Sequence, residues 1–204
     1  EYSINVEYNK TSTIDIENEH KKGNLEILKV DKENNNITLG NVGFELYNDE
    51  NGSLVGTYYT DENGKIEIKD LRIGNYKLKE ISTNEWYNLA ENQNLQIKWN
   101  ETTKTQVEDE LKKGQIKVIK VDKENNEIKI PNVVFEVQDS CGNLLEKIKT
   151  NQNGEAITSK YPLRDYPNLR LHEVETDEKY VLENEIKEIT LEENQIKEVK
   201  IENE

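Results

Sequence analysis

One phrase occurs twice in this chain. "KGNLEILKVDKENN" covers Lys22–Asn35 and "KGQIKVIKVDKENN" covers Lys113–Asn126. Their central lysines, Lys29 and Lys120, stand 120 − 29 = 91 residues apart. The match continues downstream: "NVGFEL" (Asn41–Leu46) answers "NVVFEV" (Asn132–Val137), and "TDENGKI" (Thr60–Ile66) answers "TNQNGEA" (Thr150–Ala156). A period of that length exceeds a solenoid unit, so each copy is read as a domain with its own core. The chain then divides into a leading segment 1–22, a first domain 23–110, a linker 111–114 and a second domain 115–204. So short a linker sets the two domains end to end as a semi-rigid rod. In the leading segment, "INVEYNKTSTIDIENEHKKG" (Ile4–Gly23) aligns with "IKWNETTKTQVEDELKKG" (Ile97–Gly114). That predicts the closing strands of a preceding domain, and reads the chain as part of a longer protein.

Within each copy the pattern is short alternating runs broken by Asn, Gly and Asp, the signature of strands. "NDENGS" (Asn48–Ser53), "DENG" (Asp61–Gly64) and "SCGN" (Ser140–Asn143) are predicted hairpin turns, because Asn and Gly tolerate positive φ. No segment sustains a helical period. The predicted fold is all-β: two tandem small antiparallel β-sandwiches.

The formal net charge of −15 argues against nucleic acid, whose phosphates require a basic face, and against docking on an anionic membrane. No apolar run approaches transmembrane length and no signal peptide is visible. The abundance of Asn, Lys, Ile and Glu fits an AT-rich bacterial genome. The single cysteine, Cys141, sits in a predicted turn and forms no internal disulfide. Small secreted domains usually depend on such staples. Either the chain is cytosolic or something else closes its domains.

Strand alternation places every second residue on one face. In "YKLKE" (Tyr76–Glu80), Glu80 shares the apolar face with Tyr76 and Leu78, while Lys77 and Lys79 face out. In "LRLHE" (Leu169–Glu173), Glu173 likewise follows Leu169 and Leu171. The closing strands behave the same way: Asp109 shares a face with Thr105 and Val107, and Asn203 with Val199 and Ile201. In the leading segment Asn18 shares a face with Ile14 and Ile16. Lys29 has the parity of Leu25 and Ile27, but Leu28 and Val30 are apolar too, so parity alone does not place it.

Each domain thus offers an early lysine, a central glutamate and a terminal Asn or Asp, all facing in. One reading is a buried ion pair with a hydrogen-bonded amide, a poor stabiliser because desolvation offsets the attraction. The other is covalent. Burial lowers the pKa of a lysine and raises that of a glutamate, leaving a nucleophilic amine beside an acid that shuttles protons. The product would be an intramolecular isopeptide bond, with ammonia lost from Asn or water from Asp, and folding would hold the reactants together.

"KVDKENNNITLGNVGFELYNDENG", "TDENGKIEIKDLRIGNYKLKE" and "KIENE" resemble the B-type (CnaB, or SpaA-like prealbumin) domains of Gram-positive surface adhesins and pilins, and the similarity covers nearly all of both copies. The resemblance implies an isopeptide site at Lys29 and Asp109 with Glu80 as catalyst, and another at Lys120 and Asn203 with Glu173. Asn18 matches the acceptor of an upstream domain. Two departures stand out: Asp109 occupies the more usual Asn position, and "YPLRDYPNLRLHE" replaces the "GNYKLKE" approach in the second copy. The implied role is a stalk or spacer module of a cell-wall-anchored adhesin or pilin outside a Gram-positive cell. Its partners would be neighbouring B-type domains, with a host matrix protein met through another domain, and the chain itself would be monomeric.

Other classes fare worse. Tyr58, Tyr59, Trp86, Tyr87 and Trp99 would have to form one exposed aromatic patch for a module that itself binds host matrix. A turnover enzyme lacks a nucleophile elbow or a Cys/His pair, and His20 and His172 are too few for a cluster. "DKENNN" (Asp31–Asn36) begins like a calcium loop but lacks its glycine and closing glutamate, so a solvated hairpin is expected and no metal or cofactor is called for.

Overall fold

A computed structural model describes residues 3–204. The first domain contains β1 (Lys22–Asp31), β2 (Gly43–Asn48), β3 (Leu54–Tyr59), β4 (Lys65–Arg72), β5 (Gly74–Ser82), β6 (Gln93–Ile97) and β7 (Thr102–Asp109). They form two sheets, of order β4-β1-β7 and β3-β2-β5-β6. Alternation drives their packing. Leu25 and Ile27 on β1, Phe44 and Leu46 on β2, Tyr76 and Leu78 on β5 and Val107 on β7 are buried between the sheets. The intervening Lys77 and Lys79 are exposed. Leu28 on the other face of β1 is half-buried and Val30 fully buried, so β1 is covered on both sides toward its end.

The second domain repeats the plan with β8 (Lys113–Asp122), β9 (Val134–Gln138), β10 (Leu144–Lys149), β11 (Glu155–Ile157), β12 (Tyr161–Pro162), β13 (Asn168–Glu175), β14 (Lys187–Thr190) and β15 (Ile196–Asn203). β10-β9-β13-β14 is one sheet, and β8 is flanked by β11 and β12 on one side and β15 on the other. Here β11 and β12 together replace the continuous β4. Pro162 lacks an N–H for the ladder, and prolines in strands are confined to such edges. Among the described residues no helix is long and apolar enough to cross a membrane.

Three features bear on the sequence expectations. First, the sandwiches are not wholly antiparallel: β1 pairs with β7, and β8 with β15, in parallel. Second, the Asp61–Gly64 turn is not a hairpin between paired strands. It carries the chain from one sheet to the other, and Asp61 N–H donates to Lys65 O across it (2.9 Å). The other two turns do close hairpins, with Gly52 and Gly142 at positive φ. Third, the leading segment, read from sequence as closing strands of a preceding domain, is paired with neither sandwich. Residues 3–21 contain no strand and are exposed throughout, and the part of that expectation on Glu1 and Tyr2 lies outside the described residues. A strand needs a partner for its row of N–H and C=O groups, and this segment has no sheet to join.

The linker is shorter than its predicted span, since β8 already begins at Lys113. Tyr87 pairs with Leu111 in an isolated bridge, and Lys112 N–H donates to Trp86 O (2.9 Å). Side chains also cross the joint. Asn194 Nδ2 donates to Asn88 Oδ1 (2.8 Å), Lys113 Nζ reaches Glu33 Oε1 (2.5 Å) and Arg164 Nη1 reaches the Tyr87 hydroxyl (3.4 Å). Tyr87 in turn donates to Asp31 Oδ2 (2.7 Å).

Candidate functional site: a buried lysine–glutamate–carboxyl cluster in each domain

Lys29 and Lys120 have no exposed surface and are among the largest fully buried side chains in the protein. Their backbones are fixed by equivalent turns. Lys29 N–H donates to Gly64 O (2.8 Å), and Lys120 N–H to Gly154 O (2.7 Å). Both glycines hold positive φ, +72° and +68°, and a Cβ on either would stand 2.5 Å from the carbonyl oxygen of its lysine. Only glycine combines that conformation with that approach. The Asn-Gly turns in "TDENGK" and "TNQNGE" are thus the mould for the lysine position.

In the first domain Lys29 Nζ donates to Asp109 Oδ1 and lies 3.2 Å from Glu80 Oε2. Glu80 Oε2 also accepts the Ala90 N–H (2.9 Å), while its buried Oε1 has no hydrogen-bond partner. Burial pushes the Glu80 carboxyl up to about 7, against the Ala90 N–H and Lys29, which favour its charge, and nearby Asp109 adds to the rise.

In the second domain Lys120 Nζ donates to Asn203 Oδ1 and lies 2.7 Å from Glu173 Oε2, an ion-pair contact off the line of a hydrogen bond. Asn203 turns its amide nitrogen the other way and donates to Glu173 Oε1 (2.5 Å). Burial lowers the Lys120 pKa, opposed by the charge of the neighbouring Glu173. The ring of Phe135, paired with Glu173 across β9 and β13, sits 5.9 Å below the amine. Phe44 pairs with Glu80 in the same way. These rings help to wall the clusters from water.

The structure therefore brings together Lys29, Glu80 and Asp109, and Lys120, Glu173 and Asn203, from strands far apart in sequence. Asn18 joins neither cluster and is exposed. Two residues that sequence reading missed also reach the acceptors. Thr83 Oγ1 donates to Asp109 Oδ2 (2.6 Å), and Thr176 Oγ1 accepts from Asn203 Nδ2 (3.0 Å). Each threonine lies three residues after its glutamate, in "EIST" and "EVET", and that shared spacing was the available signal.

The five aromatic residues do not form one patch. Tyr87 is buried at the domain joint and Trp86 stands beside it. Trp99 is exposed at the opposite end of the first domain, where Lys21 covers its ring at 4.8 Å. Among the described residues no group of acidic, His or Cys side chains is arranged to hold a metal ion. Cys141 is exposed in its turn.

The chain is 32% identical to the Bacillus anthracis TIE protein, with a TM-score of 0.65 over 90% of its own length. It spans 34% of that protein. A Streptococcal ancillary pilin is 20% identical with a TM-score of 0.42, over 90% of this chain and 62% of the pilin. BcpA, the major pilin subunit of Bacillus cereus, is 12% identical with a TM-score of 0.39, over 90% of this chain and 99% of the pilin. No curated protein matches the chain. The family described as the SpaA prealbumin-like fold domain matches residues 23–111 and again 114–204. The chain belongs to the SpaA prealbumin-like fold family, with two tandem domains of it.

Proposed function

We propose that the two domains are tension-bearing stalk modules on the surface of a Gram-positive cell, each closed by an isopeptide bond that it forms by itself. The observation that carries this reading is the repeated burial of a lysine amine against a terminal Asp or Asn, with a glutamate touching both strands. Left unreacted, such a cluster is an expensive way to hold a core, because desolvation offsets the attraction.

In the first domain the neutral amine of Lys29 attacks Cγ of the Asp109 carboxylic acid. A C–N bond forms, the C–OH bond breaks, and Glu80 carries the amine proton to the departing hydroxyl, so that water leaves. In the second domain Lys120 attacks Cγ of Asn203. Glu173, already bonded to Nδ2, protonates that nitrogen and accepts the amine proton, so that ammonia leaves. Each glutamate ends as it began, so the reaction happens once per domain. Proximity supplies much of the acceleration, and burial favours the neutral forms of Glu80 and Lys120.

Intact mass spectrometry of the purified chain tests the reading. The expected mass is the sequence mass less one ammonia and one water, with Lys29→Ala and Lys120→Ala each abolishing one loss. An unmodified wild-type mass would leave a buried ion pair in place of the bond.

A further inference from the structure

The geometry points to Thr83 and Thr176 as positioning residues that orient the acceptor group for bond formation, one hydroxyl serving an acid in the first domain and an amide in the second. This inference rests on the isopeptide reading above and deepens it.

Thr83 and Thr176 follow their glutamates by the same three residues, and both are half-buried at the ends of β5 and β13. Both reach the acceptor from the side away from the lysine. In the second domain the consequence is specific. Asn203 Nδ2 has two hydrogens, and both are taken, one by Glu173 Oε1 and one by Thr176 Oγ1. The amide is thereby held with its oxygen toward Lys120 and its leaving nitrogen against the acid that must protonate it. Turned over, it would point its leaving nitrogen at the attacking amine and away from the acid that must protonate it. In the first domain Asp109 has no amide hydrogens to give, and Thr83 donates to Oδ2 instead, leaving Oδ1 to Lys29. A hydroxyl both donates and accepts, so one residue type suits both acceptors. A hydrophobic residue of the same shape would fill the space and orient nothing.

The test is a pulse-labelled full-length chain, chased and quenched at intervals. Intact mass and proteolytic peptides then report closure of each domain separately, and circular dichroism reports folding. Thr83→Val and Thr176→Val keep the shape and remove the hydroxyl. Each is expected to slow closure of its own domain by about tenfold, the effect of losing one orienting hydrogen bond. The other domain should close at the wild-type rate. Thr83→Ser and Thr176→Ser are expected to recover most of the rate. Valine variants that close as fast as wild type would overturn the proposal, as would serine variants as slow as valine, since then the methyl group and its packing would matter. The acceptor exchanges Asp109→Asn and Asn203→Asp, with the threonines intact, provide a second readout. The leaving molecule should switch between water and ammonia while closure continues, and an exchanged domain that stays open counts against a hydroxyl serving both acceptors. A wild-type chain that never loses mass sinks the isopeptide reading itself, and is distinguishable from all of these outcomes.

Discussion

Lys29 and Asp109 meet diagonally across a parallel strand pair. In register Lys29 faces Val107, and Asp109 faces Asp31. The offset of two residues keeps lysine and acceptor on the same face of the sheet. Lys120 and Asn203 have the same offset, with Lys120 facing Ile201 and Asn203 facing Asp122. The glutamate comes from the opposite sheet, so each cluster joins three strands and both layers of its sandwich.

The glutamates are expected to be required for closure and not for folding. Glu80→Gln and Glu173→Gln preserve shape and hydrogen-bonding capacity but remove the proton shuttle. Each variant should fold and show one missing mass loss, water for the first and ammonia for the second. Full loss in either variant would mean that the buried lysine and its acceptor react unaided.

Closure of the first domain should depend on pH through Glu80. With its pKa pushed up to about 7 by burial, Glu80 is protonated below that value and ionised above it. In the proposed reaction the protonated acid is the working form. The closing rate is therefore highest below neutrality and falls, in proportion to the protonated fraction, as pH rises through about 7. Pulse-chase mass measurements on either side of neutrality, with Glu80→Gln as baseline, read this directly. A rate that climbs with pH would assign control to the lysine proton instead.

Gly64→Ala should damage the first cluster from behind. The added Cβ would meet Lys29 O at 2.5 Å on a backbone with φ of +72°. A destabilisation on the order of 1–3 kcal/mol is expected from the strained conformation alone, with slower closure as Lys29 shifts. Gly52 has a similar φ of +68° and nothing within 4 Å. Gly52→Ala should therefore destabilise without affecting closure. Denaturant unfolding together with the mass time course separates the two effects.

Once formed, the bonds should enclose most of each domain, spanning sequence separations of 80 and 83 residues. Closing loops of that size stabilises by about 4–5 kcal/mol in the chain-entropy model. Under tension the path would run along β1 to Lys29, cross to Asp109 and leave, bypassing the residues between. Single-molecule stretching of the wild type should show no full-length unfolding step, and the Glu80→Gln/Glu173→Gln variant should show two. Two steps in the wild type would refute the stalk role.

Much of this was legible in sequence, because it rests on parity. Glu80 and Glu173 follow alternating apolar residues on strands with one buried face, and period-two alternation fixes their direction. Lys29 was ambiguous for a physical reason: its strand is covered on both sides toward its end, so apolar residues occupy both parities. The parallel pairing of β1 with β7 left no local trace, since alternation is the same in either orientation. Thr83 and Thr176 lie just beyond the alternating run, where parity stops being informative and only comparison of the two copies marks them. Asn18 shows the converse limit of pattern reading. Its segment has the pattern of a closing strand, but a pattern makes a strand only where a neighbouring edge accepts its hydrogen bonds.

The parallel register of the first and last strands also determines how an unbonded domain fails. The chain enters at the start of β1 and leaves at the end of β7, so a pull slides the two strands lengthwise past each other. Every rung between Asn24↔Thr102 and Asp31↔Asp109 is strained at once, whereas an antiparallel pair pulled from one end would peel open rung by rung. The same holds between Gln115↔Ile196 and Asp122↔Asn203 in the second domain. In the proposed sequence a newly folded module would behave as a lap joint before it behaves as a weld. The hydrogen-bonded seam would hold the lysine and its acceptor in alignment under load, and so protect the interval that the proposed, slower chemistry requires.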